Sequence, residues 1–383
     1  MSINTSVPAH LLAAVSLPGA SALVEGFALE ARADGGRRVL LQTRDTLVVH
    51  DLDRLWTGDP EPVGSFPLPW PGWDGGVHSV SPDGSFAVFS GQRSVRAVGA
   101  DGKTLWVYGH GCWDQRVGHP HTGDDAEVCS GVESGSCRVS DDGRLVWAHV
   151  PGEDDEEYEE RWVVLDATDG RELACVALDS VTSGSNHLSH PDGVHMGLGI
   201  GMGQDGILLH WGRWDGSSLT TWDLNETLDR ILVDVHPGHG GFLSMEHYGD
   251  DIRLHTLGGE VLATGRSDVL PPVGREEPAE GEEPDEDEDR PCWDYACGFV
   301  DADTVVATTT EYDEDPDLAR HWLLDAHSLG IRGRIGYPEP VDSLVRPLGD
   351  GTWLTYDDTR GVLSRWSTQP RWGRGPVSSP AAS

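Results

Sequence analysis

The sequence predicts an all-β fold, a ring of repeated four-stranded sheets forming a seven-bladed β-propeller. Three observations predict it. Short runs of alternating apolar and polar residues recur between Asp-Gly and glycine-rich turns, and no capped stretch of helical period interrupts them. Strand–turn–strand units recur along most of the chain, averaging about 45 residues each once three stretches outside the repeat are set aside. The 383 residues exceed a usual single domain, and a closed ring of repeats is how such a length forms one.

The hairpins carry the repeat. Val77-His78-Ser79-Val80-Ser81-Pro82-Asp83-Gly84 leads into a strand at 85–90, and Ser136-Cys137-Arg138-Val139-Ser140-Asp141-Asp142-Gly143 leads into 144–150. Gly199-Ile200-Gly201-Met202-Gly203-Gln204-Asp205-Gly206 leads into 207–211. Each reads as an alternating strand, a tight Asp-Gly turn and a second alternating strand. A third strand follows and ends on a bulky residue plus Asp, at His50-Asp51, Leu165-Asp166, Trp222-Asp223 and Leu324-Asp325. A further turn, such as Thr168-Asp169-Gly170, leads to a fourth strand. Four antiparallel strands, repeated, make a propeller blade.

These residues resemble the WD-repeat propellers. Val80-Ser81-Pro82-Asp83-Gly84 is similar to the end of that family's first strand, and Trp222-Asp223 to the dipeptide that names it, at the end of a third strand. Gly109-His110 and Gly238-His239 resemble its Gly-His pair. The resemblance implies the fold. No single blade carries the whole signature.

Blades are expected at about 20–70, 73–110, 134–178, 194–235, 236–266, 294–338 and 341–368, in one domain spanning 1–369. A Pro-, Gly- and Ser-rich tail, 370–383, is expected to be disordered. The last blade has three evident strands. The strand at 11–17 is spare and completes that blade, closing the ring and removing an unpaired edge. Three stretches stand outside the repeat, at 111–133, 179–193 and 267–293. Without them the chain averages about 45 residues per blade for seven blades, the spacing expected of such repeats.

Strand order then places the loops. First-to-second and third-to-fourth turns share one face of the disc, while second-to-third loops and blade-to-blade connections share the other. The three inserts and the long loops at 152–160 and 311–319 all emerge on this second face, which makes it the expected working face.

Charge narrows the partners. The net charge is −38, and the 27 basic residues include a single lysine, Lys103. Phosphate backbones and anionic membrane surfaces need clustered cations, so direct binding of nucleic acid or membrane is not expected. The arginine bias points to a bacterial, high-GC genome such as an actinobacterium's, or to salt adaptation. No basic residue precedes the apolar run Leu11 to Val15, so a cytoplasmic protein is expected. The six cysteines follow no disulfide framework and read as free thiols.

Candidate contact residues lie in the inserts and loops. Acidic runs at 153–160, 276–289 and 311–317 hold 22 of the 65 acids. Such runs are either solvated and disordered or an electrostatic lure for a basic protein or peptide. Glu153, Asp154, Asp155, Glu156 and Glu157 are the candidates in the first. Trp113, Trp214 and Trp293 sit in loops, and an exposed tryptophan is an effective binding anchor. His119 and His121, near Cys112 and Cys129, are candidate ligands for a divalent metal, the one cofactor with any sequence support. Gly102-Lys103-Thr104 lacks the preceding glycine and following helix of a phosphate loop, and there is no GxSxG or HExxH. Two function classes follow: a non-enzymatic binding scaffold presenting acidic, Trp-bearing loops, or a lyase-, hydrolase- or cyclase-type enzyme using His, Asp and a metal in the central pocket.

Overall fold

The computed structural model describes residues 5–19, 27–31, 36–70, 76–113, 135–152, 159–225, 229–238, 240–271, 291–310, 320–342 and 344–370. Two N-terminal strands come first, β1 (Ser6–Pro8) and β2 (His10–Ser16). Blade one follows with β3 (Ala28–Ala31), β4 (Arg37–Gln42), β5 (Thr46–Asp51) and β6 (Gly64–Pro67). Blade two is β7 (His78–Val80), β8 (Phe86–Ser90), β9 (Ser94–Gly99) and β10 (Thr104–Gly109). Blade three is β11 (Cys137–Val139), β12 (Leu145–Pro151), β13 (Glu160–Asp166) and β14 (Glu172–Leu178). Blade four is β15 (Gly184–Ser189), β16 (His195–Gly201), β17 (Ile207–Trp214) and β18 (Leu219–Asp223). Blade five is β19 (Arg230–Val235), β20 (Phe242–Glu246), β21 (Asp251–His255) and β22 (Val261–Arg266). Blade six is β23 (Cys292–Asp301), β24 (Thr304–Thr310), β25 (Arg320–Asp325) and β26 (Ile331–Gly336). Blade seven has β27 (Val345–Pro347), β28 (Trp353–Asp357) and β29 (Val362–Ser367).

The N-terminus closes the ring. β2 pairs antiparallel with β29, placing Leu11 opposite Trp366 and Ser16 opposite Val362. It is the outer strand that blade seven lacks. β1 adds something the sequence did not announce, a fifth, parallel strand on blade six, with Val7 opposite Ile335. The N-terminal segment therefore ties together the two blades that flank the seam.

Packing repeats this closure. The buried apolar residues fall into seven clusters, each at the boundary between one blade and the next. The last of these boundaries joins Leu348, Leu354 and Leu363 of blade seven to Val39 and Leu41 of blade one. Of the strand tryptophans expected to pack between blades, Trp147, Trp162, Trp211, Trp322 and Trp353 are fully buried at such boundaries and Trp222 packs partly buried against another. Large flat indoles suit this role, because each fills a wide gap between twisted sheets from a single backbone position. One short helix, α1 (Leu52–Trp56), joins β5 to β6, capped by Asp51, whose carboxylate accepts from the Arg54 amide at 2.9 Å.

The fourth and fifth blades depart from expectation. Blade four begins at Gly184 and not 194, and blade five at Arg230 and not 236. The stretch 179–193, read as an insert, contains the inner strand β15 and the first turn of blade four. That turn is His190-Pro191-Asp192-Gly193. It repeats the backbone of the turns at Ser81–Gly84 and Ser140–Gly143, with His190 in the place of Ser81 and Ser140. In each, the Asp carboxylate accepts from the amide two residues on, at 3.0 Å, and the glycine has φ of +72° to +74°. Asp205-Gly206, read as the equivalent turn, closes a 3-10 turn between β16 and β17 on the other face. Consequently Trp222-Asp223 ends an outermost strand, not a third one.

Candidate functional site

With the strands assigned, the second-to-third loops and blade-to-blade connections still share one face. The segments 114–134, 153–158, 272–290 and 311–319 lie outside the described residues, and so do His119, His121, Cys129 and Glu153, Asp154, Asp155, Glu156 and Glu157. Their roots are described, and every root lies on that face.

The three tryptophans expected in loops are all buried, and two of them, Trp214 and Trp293, lie in the strands β17 and β23. Trp113 is 4% exposed, with its ring edge-on to His149 of the next blade at 5.3 Å. Trp293 is 2% exposed and donates its indole N–H to Gly265 O at 3.1 Å, across the boundary from blade six to blade five. Trp214 ends β17 on the opposite face and packs in the cluster between blades three and four. Trp113 and Trp293 share a physical reason: each stands at the root of a long blade-to-blade connection and fills the boundary beneath it, whereas Trp214 stands before a short turn and is interblade packing.

Glu160, last in the first acidic run, is structural as well. It is fully buried and accepts from His149 Nε2 at 3.0 Å, Ser180 Oγ at 2.5 Å and the Thr182 amide at 2.7 Å. Burial pushes its carboxyl up, but those bonds and the His149 charge outweigh it and hold the group at about 2.

What this face does expose is a different aromatic group. Tyr248 is 75% exposed and Tyr295 48%. The Tyr295 hydroxyl donates to His247 O at 2.9 Å, and the His247 ring lies nearly parallel to Tyr295 and edge-on to Tyr248. His247 and Tyr248 form the β20–β21 turn, and Tyr295 follows the root of the 272–290 segment. Sequence reasoning did not single out this cluster. An aromatic residue beside a glycine in a second-to-third turn was the signal available.

One cluster among the described residues has metal-ligating types in reach of each other: His190, Asp192 and His195, their ligand atoms within 4.8 Å. Asp192 Oδ1 lies 3.0 Å from His190 Nδ1, and Oδ2 lies 2.7 Å from His195 Nδ1. Ser81 and Ser140 make the corresponding contact to Asp83 and Asp142 in the equivalent turns, so the turn accounts for the His190–Asp192 pairing, while the His195–Asp192 contact is particular to this blade.

The inner strands enclose a central cavity of about 470 Å³, lined from the side of the first-to-second turns. It holds His187, whose two nitrogens are both engaged, by Ser136 and by Trp162.

No protein-family model matches the chain, and no curated protein matches it in sequence. Solved structures match it in fold. The WD40 repeats of RRP9 superpose with a TM-score of 0.51 at 11% identity, covering 94% of this chain and 99% of that one. The beta-propeller domain of Cps50 (Swd1) from Myceliophteria thermophila gives 0.52 at 12% identity, covering 89% and 96%. A chain of the Mitotic Checkpoint Complex gives 0.55 at 12%, covering 94% and 91%. The shared property is the fold, a seven-bladed propeller of the WD40 kind. Among the described residues, no helix is long and apolar enough to cross a membrane.

Proposed function

We propose that this chain is a non-enzymatic interaction module that presents acidic segments, on the face carrying its long connections, to a basic protein or peptide. The observation that carries the reading is the exposed cluster of Tyr248, His247 and Tyr295, beside the root of a segment with ten acids in 276–289. Exposed aromatic faces attract arginine and lysine through their π-systems, and surrounding carboxylates raise the local concentration of such a partner. Glu153, Asp154, Asp155, Glu156 and Glu157 belong to the same acidic surround. Trp113 and Trp293 support it from beneath by holding the roots of the loops. Fold neighbours are compatible with assembly work, one having been solved within the Mitotic Checkpoint Complex.

His187 is not available as the general acid or base of a reaction in the central cavity, since a ring with both nitrogens committed cannot exchange a proton with a substrate without breaking a bond to the wall. The test is photo-crosslinking with an arginine-rich peptide library. Crosslinks should concentrate at Tyr248 and Tyr295 and fade with added salt. Crosslinks concentrated at the turns of Asp83, Asp142 and Asp192 would place the working surface on the other face and end the proposal.

A further inference from the structure

The central cavity has a chemistry opposite to that of the chain as a whole. In a protein of net charge −38, three arginines, Arg37, Arg138 and Arg346, line one open-mouthed cavity of about 470 Å³. That volume is within the range of small-molecule sites. Two of the three are committed. Arg138 forms a 2.6 Å ion pair with Glu30, which also accepts from the Val80 amide, and Arg37 donates to Leu348 O at 3.1 Å.

Arg346 differs. It is an exposed residue of β27 that lines the cavity, and it has no hydrogen bond among the described residues. Asp234, an acid that attracts it, is committed elsewhere and accepts from the Phe299 amide at 2.7 Å with one oxygen and from the Val235 amide at 2.9 Å with the other. Gly298 keeps it there, because a Cβ at that position would lie 2.4 Å from Asp234 Oδ2 and 2.6 Å from Pro347. Although the residue is exposed as a whole, desolvation in the cavity wall lowers the Arg346 pKa against the attraction of Asp234 and Asp294. A guanidinium has five donors in a planar fork that matches a carboxylate or phosphate.

We propose that the central cavity binds a small organic oxyanion, its carboxylate or phosphate group held by Arg346 with Arg37 beside it, and its carbon skeleton packed on Phe27, Leu188 and Phe299. The site is separate from the acidic face, being lined from the first-turn side. Since long-range attraction of anions is opposed by the net charge, recognition has to be local and geometric.

The wall also gives the site a pH dependence. Facing it are Arg37, Arg138 and Arg346, the acids Glu30, Asp141 and Asp234, the neutral ring of His187 and the thiol of Cys297. Burial, only partly offset by its two amide bonds, pushes Asp234 up to about 6. Its protonation removes one negative charge from the wall, so anions bind more tightly below that pH.

The experiment is calorimetry and thermal shift on the full chain with succinate, citrate, inorganic phosphate and glycerol 3-phosphate, against sodium chloride at equal ionic strength. At least one should bind saturably at one site per chain, and whether carboxylates or phosphates prevail identifies the source. Arg346→Gln should weaken that binding at least tenfold while leaving the ligand-free melting temperature unchanged, because the side chain makes no bond in the fold. Sulfate, whose charge is constant between pH 7.5 and 5.5, should bind more tightly at the lower value. Failure of all probes to bind, or equal binding by Arg346→Gln, overturns the proposal and leaves the reading of the acidic face untouched.

Discussion

Trp162 of blade three donates its indole N–H to Nε2 of His187 on the inner strand of blade four, at 3.0 Å. Indole N–H only donates, so this nitrogen accepts, the ring is neutral, and its proton sits on Nδ1 facing Ser136 Oγ at 2.7 Å. A blade boundary thus depends on one uncharged histidine. Burial holds its pKa well below the ordinary value, and the nearby His149 and Arg138 lower it further.

Acid should therefore weaken the fold. His78 and His255 are likewise pulled down, each to about 4, by burial first. An unfolded histidine takes up its proton near pH 6.5, whereas these rings resist to about 4, so their contribution is complete above 6.5 and lost as pH falls toward 4. Asp234 has the opposite sign, since its folded pKa of about 6 exceeds the unfolded one and acid favours it. Three rings outweigh one carboxyl. At about 1.4 kcal/mol per pKa unit, stability at pH 5 should fall a few kcal/mol below that at pH 7.5, read from urea midpoints. A midpoint that rises on acidification would contradict the neutral rings.

Closure depends on the N-terminal strands. Removing residues 1–9 takes away only β1 and Ala9 and should lower the melting temperature modestly. Removing residues 1–16 also strips β2 from β29, exposing an edge and uncovering the boundary between blades seven and one. This longer deletion should aggregate or melt far lower. Equal melting curves for the two variants would show that β2 does not close the ring.

The architecture was legible because turn chemistry marks each blade. Asp83-Gly84 and Asp142-Gly143 fix their hairpins, and the spare N-terminal strand follows from the count. The slip in blade four has a physical cause. β15, Gly184–Ser189, is polar because one side faces the cavity, so it lacks the alternation that identifies a strand lying between two apolar sheets. Asp205-Gly206 imitates a first turn from the wrong face. The tryptophans misled for a related reason: Trp214 and Trp293 are strand ends that read as loops, and a position near a strand end says nothing of which boundary the side chain enters. The cavity arginines were not legible at all, since Arg37, Arg138 and Arg346 meet only when the ring closes.

Gly212 tests boundary packing directly. A Cβ there would lie 2.7 Å from the Trp162 ring and 3.1 Å from that of Trp147, two rigid and fully buried indoles. Gly212→Ala should cost about 1–3 kcal/mol by overpacking. Gly216→Ala, also in blade four, meets nothing within 4 Å but has φ of +94°, so it isolates backbone strain from crowding. If Gly212→Ala costs no more than a surface substitution, the close fit between blades three and four is not what stabilises this boundary.

The acidic face should separate encounter from residence. Charge acts at a distance and is screened over about 8 Å at physiological ionic strength, whereas aromatic contacts form only after docking. Replacing Glu153, Asp154, Asp155, Glu156 and Glu157 with Gln or Asn should slow association of a basic partner severalfold and flatten its salt dependence. Tyr248→Ala and Tyr295→Ala should leave association nearly unchanged and speed dissociation, Tyr248 the more because it is the more exposed of the two. Trp113→Ala and Trp293→Ala should instead lower the melting temperature, by roughly 3–5 kcal/mol of stability each, because both rings are buried beneath the loops they root. Surface kinetics and melting curves on the same five variants distinguish the two groups. Tryptophan variants that speed dissociation without loss of stability would return the anchor role to Trp113 and Trp293, and would remove it from the tyrosines.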